Sequence, residues 1–362
     1  MVSAQSDSTW LTVSLLTCDS GAEAYASFGH SAIRVVDRKR NKDIVFDYGV
    51  FDFDTPNFVW RFMRGNLDYK LALRRTNRFM REYVRDKRGV IEQKFNLPER
   101  ALVEMYDFLL QNQKPENRYY KYNFIHDNCS TRIRDLVNGL DVKKGNPVTR
   151  LEDTYRNFLH DYLPNKPWLK LGIDILLGAK TDRVMNYDQQ MFLPNRLSRS
   201  LSYYVYENEG SKQKMLSPAT NLVPPQKMKS DFIFFQPLIV FIALLLLLIG
   251  LVWWQPRTSK WLFYFFGLIY GLAGCLLVFL WFFTEHTATA NNWNLLWLHP
   301  LYLLFFLPSK GLKSILTKVV LVLNVGVLLF WWQLPQEINL GVLPLVGMYL
   351  FLLVENRHKG TV

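Results

Sequence analysis

The residues around Cys129 have the composition of a reactive thiol site. Cys129 follows Asp127 and Asn128, so it is expected at the start of a helix behind polar capping residues. A helix N-terminus favours thiolate over thiol, and with a nearby histidine it can lower a cysteine pKa from about 8.5 to roughly 3.5–7.5. Free backbone N–H groups at such a position can also receive a developing oxyanion. The pattern predicts a nucleophilic cysteine.

A thiolate nucleophile requires a base, and the candidate is His30 in the string FGHSAIRV, at the mouth of a predicted strand. Gly29, directly before it, is expected to let a substrate approach the ring. Each reactive residue alone has a bland explanation, with His30 as a strand-edge histidine and Cys129 as a buried helix residue. Because one chain contains both in these contexts, the sequence favours a catalytic thiol–imidazole pair.

Three polar residues beside the nucleophile are candidates for contacting a substrate. Asn128 directly precedes Cys129, and Arg132 and Arg134 follow it. An arginine binds phosphate through its planar fork of donors, but an ion pair with a neighbouring aspartate explains these two arginines equally well. Both interpretations are open at the level of the sequence.

Other histidines and cysteines give weaker indications. His286 lies in a predicted external loop, where lipid or substrate binding is one interpretation. His126 is a second candidate base or a capping residue, and His160 lies in a charge-rich helical stretch where a solvated ring is expected. Cys18 falls in polar, loop-like surroundings. The three cysteines lie far apart without CxxC spacing, so neither a disulfide framework, a metal site nor a cofactor is expected.

The composition changes sharply near residue 231. From Phe232 onward there are only seven Lys/Arg and three Asp/Glu among long apolar runs, which is typical of a membrane domain. The preceding part has 36 basic and 28 acidic residues. This excess suits a domain close to anionic lipid headgroups. Nucleic acid is not an expected partner, since no aromatic-interleaved basic stripe or nucleic-acid motif is present.

Several apolar stretches are long enough to cross a bilayer at 1.5 Å per residue. The predicted spans are residues 232–254, 261–283, 315–334 and 338–354, and residues 293–307 form either a short span or a re-entrant segment. With five spans, all seven basic residues fall on one side, which the positive-inside rule assigns to the cytoplasm. The loop at 284–292 and the preceding soluble domain then lie outside.

Elements in the first part are expected to position the thiol and the histidine. Residues 11–16 are predicted as a strand, and residues 30–36 and 43–48 as a hairpin. Apolar residues at helical spacing predict helices over 99–112 and 130–140. The predicted domain organisation is a catalytic domain at 1–216, a linker at 217–231 and a membrane bundle of about five helices at 232–356.

The order of these motifs resembles the permuted papain-like enzymes of the NlpC/P60 type, in the lecithin:retinol acyltransferase branch. In that branch a strand motif H-x-x-I-x-V precedes an Asn-Cys helix motif, matched here by His30 to Val35 and by Asn128-Cys129. The resemblance makes Asp47 the residue that orients His30, with Asp52 as the alternative. It implies an α+β fold, a permuted NlpC/P60 catalytic domain followed by an all-α transmembrane bundle.

A closer resemblance covers nearly the whole chain. The strings TCDSGAEAYASFGHSAIRV, VFDYGVFDFDTPNF, PENRYYKYNFIHDNCSTRIRD and TEHTATANNWN are similar to the Lnb-type bacterial lipoprotein N-acyltransferases. The resemblance implies transfer of an acyl chain from a membrane phospholipid, through a Cys129 thioester, to the α-amino group of the diacylglyceryl-Cys of lipoproteins. It also implies a multi-pass protein of the bacterial inner membrane with its catalytic domain in the periplasm.

Two other function classes compete with acyl transfer. One is a membrane-anchored cysteine peptidase or amidase acting on cell-wall peptides, which is the commoner activity of the wider NlpC/P60 group. The other is a membrane anchor without catalysis. The predicted bundle favours a lipid-directed enzyme, since a wall hydrolase requires one anchor at most, and the presence of both His30 and Cys129 disfavours the anchor.

Overall fold

The first part of the chain folds around an antiparallel sheet of seven strands. The computed structural model describes residues 10–51, 54–141, 153–208, 211–225 and 235–360. The strands are β1 (Leu11–Cys18), β2 (His30–Asp37), β3 (Lys42–Val50), β4 (Asp68–Arg75), β5 (Val90–Lys94), β6 (Tyr119–Lys121), β7 (Val205–Asn208), β8 (Ser211–Lys214) and β9 (Thr220–Val223). β7 and β8 form a separate two-stranded ribbon.

The sheet has the order β6-β4-β3-β2-β1-β5-β9, which places β2 at its centre. Side chains of β1 alternate between two buried clusters, as the period of a strand requires. Leu11, Val13 and Leu15 belong to one cluster, and Leu16 and Cys18 belong to the other. The sheet is therefore covered on both faces. The predicted hairpin of β2 and β3 is confirmed as an antiparallel pair.

Eight helices of the described residues lie before the membrane helices: α1 (Phe58–Met63), α2 (Thr76–Arg85), α3 (Glu99–Asn112), α4 (Cys129–Gly139), α5 (Tyr155–His160), α6 (Pro167–Leu176), α7 (Tyr187–Gln190) and α8 (Pro194–Tyr203). Helix α3 has the predicted bounds, and α4 begins one residue before its predicted start. Apolar residues of α3, α4 and α8 join one cluster on the sheet, and those of α2 join the other. The mixed α/β character predicted for this part is confirmed.

The chain forms two structural units with boundaries that differ from the predicted ones. The first comprises Met1–Asp153 and Val184–Met228, and the second comprises Thr154–Arg183 and Lys229–Val362. Residues 154–183 thus group with the membrane helices, although the sequence places them in the catalytic domain. The predicted linker at 217–231 also begins too early, because β9 pairs with β5 and completes the sheet.

A buried polar network explains why residues 154–183 join the second unit. Arg156 is fully buried, and its guanidinium donates to Asp174 at 3.0 Å and to Asp182 at 2.8 Å. Asp174 also accepts from Asn339 at 2.7 Å and lies 2.7 Å from Nε2 of His160. A buried charge requires such partners. The expectation of a solvated His160 is wrong, since its ring is held against a buried carboxylate.

Four helices of the second unit are long and apolar enough to cross a membrane. They are α9 (Pro237–Trp254), α10 (Thr258–Phe282), α11 (Lys310–Phe330) and α12 (Leu343–His358). A shorter apolar segment, Trp293–Phe306, has 3-10 geometry and contains the His299-Pro300 pair. It packs closely on α10, since a Cβ at Gly274 would lie 2.7 Å from Cα of His299. Five crossings therefore remain a prediction.

Candidate active site

Asn128 fixes the start of α4 and thereby the position of Cys129. Its Oδ1 accepts from the amides of Ser130 at 2.8 Å and Thr131 at 3.0 Å, and the Thr131 hydroxyl accepts from the Asn128 amide. This reciprocal pattern is a capping box. The Asn128 side-chain amide donates to the carbonyls of Phe124 and Phe192. The polar groups of Asn128 are thus used to cap the helix and to anchor it to neighbouring backbone, while substrate contact by Asn128 stays a prediction.

The cap has a consequence for the amide of Cys129. Asn128 engages the amides of the second and third helical residues, and Arg132 N–H makes the first bond along the helix by donating to the Asn128 carbonyl. The Cys129 amide, at the first position, takes part in neither set of bonds. The first amides of a helix have no partner within it and carry partial positive charge. The Cys129 amide is therefore an available hydrogen-bond donor on the same residue as the thiol.

His30 is the first residue of β2, and the turn before it requires glycine. Gly29 has φ +73°, in the left-handed region, and a Cβ there would lie 2.7 Å from the Cys18 carbonyl. Only a residue without a side chain avoids that backbone contact. The role expected for Gly29, substrate access, is thus replaced by a conformational one: it allows the chain to enter β2 with His30 opposite Cys18.

A buried carboxylate contacts the imidazole ring. Nε2 of His30 lies 2.6 Å from Oδ1 of Asp47, which is 3% exposed on β3. Arg74 donates to the other oxygen, Oδ2, at 3.1 Å and also pairs with Glu82. The register of β3 on β4 shifts between Asp47 and Val50, so a local irregularity follows the carboxylate. Asp52, the alternative orienting residue, lies outside the described residues.

Cys129 lies against the same imidazole. His30 and the backbone of Ser31 lie close enough to the Cys129 thiol to lower its pKa. The Ser130 hydroxyl lies 4.0 Å from the sulfur and 3.1 Å from the Ser31 hydroxyl. The structure therefore brings together the three residues for which the sequence predicts catalysis.

The three groups stabilise one another in their charged forms. Burial raises the pKa of Cys129, but the charge and hydrogen bond of His30 outweigh it and hold the pKa below 9.0. Burial lowers the pKa of His30, whereas Cys129 and Asp47 together raise it to about 10. The pKa of Asp47 is lowered, because His30 and Arg74 outweigh the effect of its burial. These interactions favour the thiolate–imidazolium form of the pair over its neutral form.

A buried tyrosine that the sequence analysis does not single out, Tyr120, lies near Cys129. A Cβ on Gly49, which has φ +87°, would lie 3.9 Å from the Tyr120 hydroxyl and 4.0 Å from Cβ of Cys129. Tyr120 is 9% exposed, and within the described residues its hydroxyl has no hydrogen-bond partner. Burial, together with the negative charge of Cys129, raises its pKa. Side chains alternate between the two faces of a strand, and the neighbours of Tyr120 on β6, Tyr119 and Lys121, are exposed. This alternation is the signal that could have assigned Tyr120 an inward direction.

The two arginines after the nucleophile are engaged within the protein. Arg132 forms a two-pronged ion pair with Asp127 at 2.5 and 2.6 Å, and its guanidinium lies 4.2 Å from the ring centre of Tyr120. Arg134 pairs with Asp135 and donates to the Asp188 carbonyl. These contacts match the ion-pair interpretation of both residues. Phosphate binding by either arginine stays a prediction.

The remaining candidates fall into different surroundings. His126 is exposed, and its backbone amide donates to Asn123. His286 belongs to the second unit, directly before the 3-10 turn Thr287–Thr289. Cys18 is fully buried at the end of β1, so the polar loop expected for it is wrong, and burial raises its pKa. Among the described residues, no group of three or more His, Cys, Asp or Glu could hold a metal ion.

These features define a membrane-anchored α/β protein with a Cys–His–Asp arrangement, which is typical of thiol enzymes. Residues 1–161 match the family model described as the Lnb N-terminal periplasmic domain, and residues 227–358 match the Lnb transmembrane domain. The chain therefore belongs to the Lnb family and is a multi-pass membrane protein with a periplasmic domain. Membership indicates a membrane-associated enzyme of lipoprotein processing. No curated protein and no solved structure matches the chain.

Proposed function

We propose that this protein is a lipoprotein N-acyltransferase that uses Cys129 as its nucleophile. The acyl donor is a membrane phospholipid, and the acceptor is the α-amino group of the diacylglyceryl-Cys of a lipoprotein. The observation that carries the proposal is the Cys129–His30–Asp47 contact in a chain whose two parts match the Lnb domains. The order of these residues along the chain also supports a permuted NlpC/P60 relationship for the first unit.

The first half-reaction forms a thioester. The Cys129 thiolate attacks the carbonyl carbon of a phospholipid ester, and the bond from that carbon to the glycerol oxygen breaks. His30, charged in the resting pair, gives its proton to the departing alkoxide, so that lysophospholipid leaves as a neutral alcohol. Asp47 holds the ring by its Nε2 and stabilises the imidazolium until the proton is transferred.

Two donors are available for the tetrahedral oxyanion. The Cys129 amide is outside the capping box, and the Tyr120 hydroxyl is buried near Cys129 without a hydrogen-bond partner among the described residues. A donor aimed at a developing charge in a water-poor site is worth about 10²–10³ in rate. We therefore assign Tyr120 the role of an oxyanion donor in both half-reactions.

The second half-reaction depends on a change in the basicity of His30. Acylation removes the negative charge on sulfur, which is one of the causes that raise the pKa of His30. The neutral imidazole then accepts a proton from the incoming ammonium, and the amine attacks the thioester. An amide forms, the carbon–sulfur bond breaks, the second proton of the attacking nitrogen is released to solvent, and the thiolate returns to its pair with the protonated His30. Exclusion of water lets transfer outrun hydrolysis.

Mass spectrometry of the purified full chain in lipid nanodiscs tests both half-reactions. Phospholipid alone should leave an acyl mass on the Cys129 peptide that neutral hydroxylamine removes, with an equal amount of lysophospholipid. A diacylated lipopeptide should then discharge the label to its own N-terminus as an amide that hydroxylamine spares. Cleavage of the lipopeptide without a gain of acyl mass would instead support the peptidase alternative.

Substitutions at the site have matched controls in the same chain. Cys129→Ala and His30→Ala should abolish acylation, whereas Cys18→Ala should leave it intact, since Cys18 is buried in the apolar cluster with Phe79 and Tyr83. Tyr120→Phe should slow acylation by about 10²-fold or more. Tyr106→Phe, the same change at a buried tyrosine on α3, should not. Normal turnover by Cys129→Ala would refute the thiol mechanism.

A further inference from the structure

Helix α1 presents a cluster of large apolar side chains to solvent. None of its six residues is buried. Val59 is 67% exposed, Trp60 53% and Phe62 51%, and Met63 is also exposed. Soluble surfaces rarely show a contiguous apolar cluster without a binding role. A helix this short is not stable through its own hydrogen bonds alone and is stabilised by packing of its apolar face.

An aromatic row connects this cluster with the nucleophile. Neighbouring rings along it have centroids 4.3–6.1 Å apart, in the order Phe62, Phe58, Phe51, Tyr69 and Tyr122. The last ring, Tyr122, lies close enough to Cys129 to sense its charge. The packed rings of the row therefore run from the exposed helix towards the thiol.

Basic residues accompany the apolar ones on α1 and directly after it. The Arg64 guanidinium lies 5.9 Å from the ring centre of Trp60, and Arg61 on the helix pairs with Asp68 at 2.6 Å. Tryptophan beside arginine is typical of segments at the interface of a bilayer, where the ring lies among headgroups and the cation meets lipid phosphate. The same chain has four helices long and apolar enough to cross a membrane, so its first unit is tethered to a bilayer.

We propose that α1 is a lipid-contacting segment that inserts into the headgroup region of the membrane and admits a phospholipid acyl chain to the aromatic row. The occupant of the exposed cluster is thus the bilayer, not a second protein. The delivery of an acyl chain to Cys129 rests on the proposed function, whereas the contact of α1 with lipid does not. The row positions the ester carbonyl of the donor by holding its chain.

Two double variants in nanodiscs of phosphatidylethanolamine and phosphatidylglycerol test the delivery. The test variant is Val59→Ser with Phe62→Ser, and the control is Val84→Ser with Phe108→Ser, a pair of similar exposure on other helices. Acylation of Cys129 is measured with the nanodisc phospholipid and with a water-soluble short-chain ester. The test variant should lose at least about tenfold with phospholipid, equivalent to about 1.4 kcal/mol, and retain its rate with the soluble ester.

Three outcomes of this comparison refute delivery by α1. An unchanged rate with phospholipid, an equal loss with both donors, or an equal loss in the control variant would each do so.

The contact with lipid has its own readout, a bimane fluorophore at Met63→Cys with Cys129 and Cys275 replaced by alanine. Spin-labelled lipid should quench it but not a bimane at Val84→Cys, and absence of quenching at position 63 refutes insertion. Quenching without acylation by phospholipid in the unmodified chain would refute the proposed function alone.

Discussion

Replacing Asp47 by asparagine separates the charge of the buried carboxylate from its shape. Asparagine retains the volume and one oxygen for Arg74, but it cannot balance the imidazolium of His30. We expect the pKa of His30 to fall from about 10 towards its ordinary value of 6.5, because Asp47 supplies both charge and a hydrogen bond. The pKa of Cys129 should rise, since His30 is the main group that lowers it.

The size of the effect follows from the contact. An opposite charge within about 4–6 Å shifts a pKa by roughly 1–3 units, and each unit is worth about 1.36 kcal/mol. The Oδ1–Nε2 distance of 2.6 Å is well inside that limit. In the unmodified protein the pKa of His30 is raised, so the imidazolium and its stabilising contribution persist above pH 6.5 and are lost as pH rises through about 10. In Asp47→Asn this loss should begin about 1–3 pH units lower.

Alkylation of Cys129 by iodoacetamide between pH 4 and 11 measures the thiolate without relying on acyl transfer. Peptide mapping separates Cys129 from the buried Cys18. The unmodified protein should react well below pH 9.0, the ordinary thiol pKa, and the profile of Asp47→Asn should move to higher pH. Single-turnover acylation should fall by about 10²-fold or more, as expected when a catalytic histidine loses its carboxylate.

A second carboxylate on the same strand provides the control. Asp43 pairs with Arg34 and accepts from Thr76, and it contacts neither His30 nor Cys129 among its recorded partners. Asp43→Asn should therefore leave the alkylation profile of Cys129 in place. An unchanged profile in Asp47→Asn, or the same displacement in both variants, would show that Asp47 does not set the ionisation of the pair.

Three further predictions concern stability and topology. Gly29→Ala should lower the free energy of unfolding by about 2 kcal/mol or more, because Gly29 has a positive φ and a close backbone contact. Gly139→Ala should be tolerated, since a Cβ there meets no atom within 4 Å. Thermal unfolding, combined with alkylation of Cys129, measures both variants. Arg156→Met should cost about 3–5 kcal/mol in urea unfolding, because the buried Asp174 and the half-buried Asp182 lose their partner, and Arg156→Lys should cost less; equal stability of Arg156→Met would refute this. An impermeant thiol reagent should label Ala288→Cys but not Lys359→Cys in intact cells, and labelling at both positions would contradict five spans.

The local elements near the site were accessible from the sequence because their signals are local. The apolar spacing of Glu99–Asn112 predicts α3 with its observed bounds, and the polar cap before Cys129 predicts a helix start within one residue. The alternation of β2 and β3 predicts their hairpin. Such patterns depend on residues close in the chain, so tertiary structure does little to alter them.

The features that sequence reasoning missed depend on contacts between distant residues. Arg156 and Asp174 have the composition of a solvated helix surface, and only their mutual contact permits burial. Tyr120 resembles any core tyrosine until Cys129, on another element, is placed beside its hydroxyl. Gly29 suggested access to the ring, whereas its φ and the Cys18 carbonyl assign it a conformational role. The 3-10 geometry of Trp293–Phe306 depends on packing that composition does not encode.

The assignment of residues 154–183 to the membrane unit sets a time order for biosynthesis. Asp174 leaves the ribosome 165 residues before Asn339, its partner across the network. At about 5–20 residues per second, this carboxylate waits on the order of ten to thirty seconds for that amide. The sheet of the first unit also stays open until β9, which follows the inserted segment, has been made. Both units therefore mature late, and a ribosome that stalls before α12 leaves a nascent chain with an unfinished buried charge cluster, which is a ready signal for proteolytic quality control.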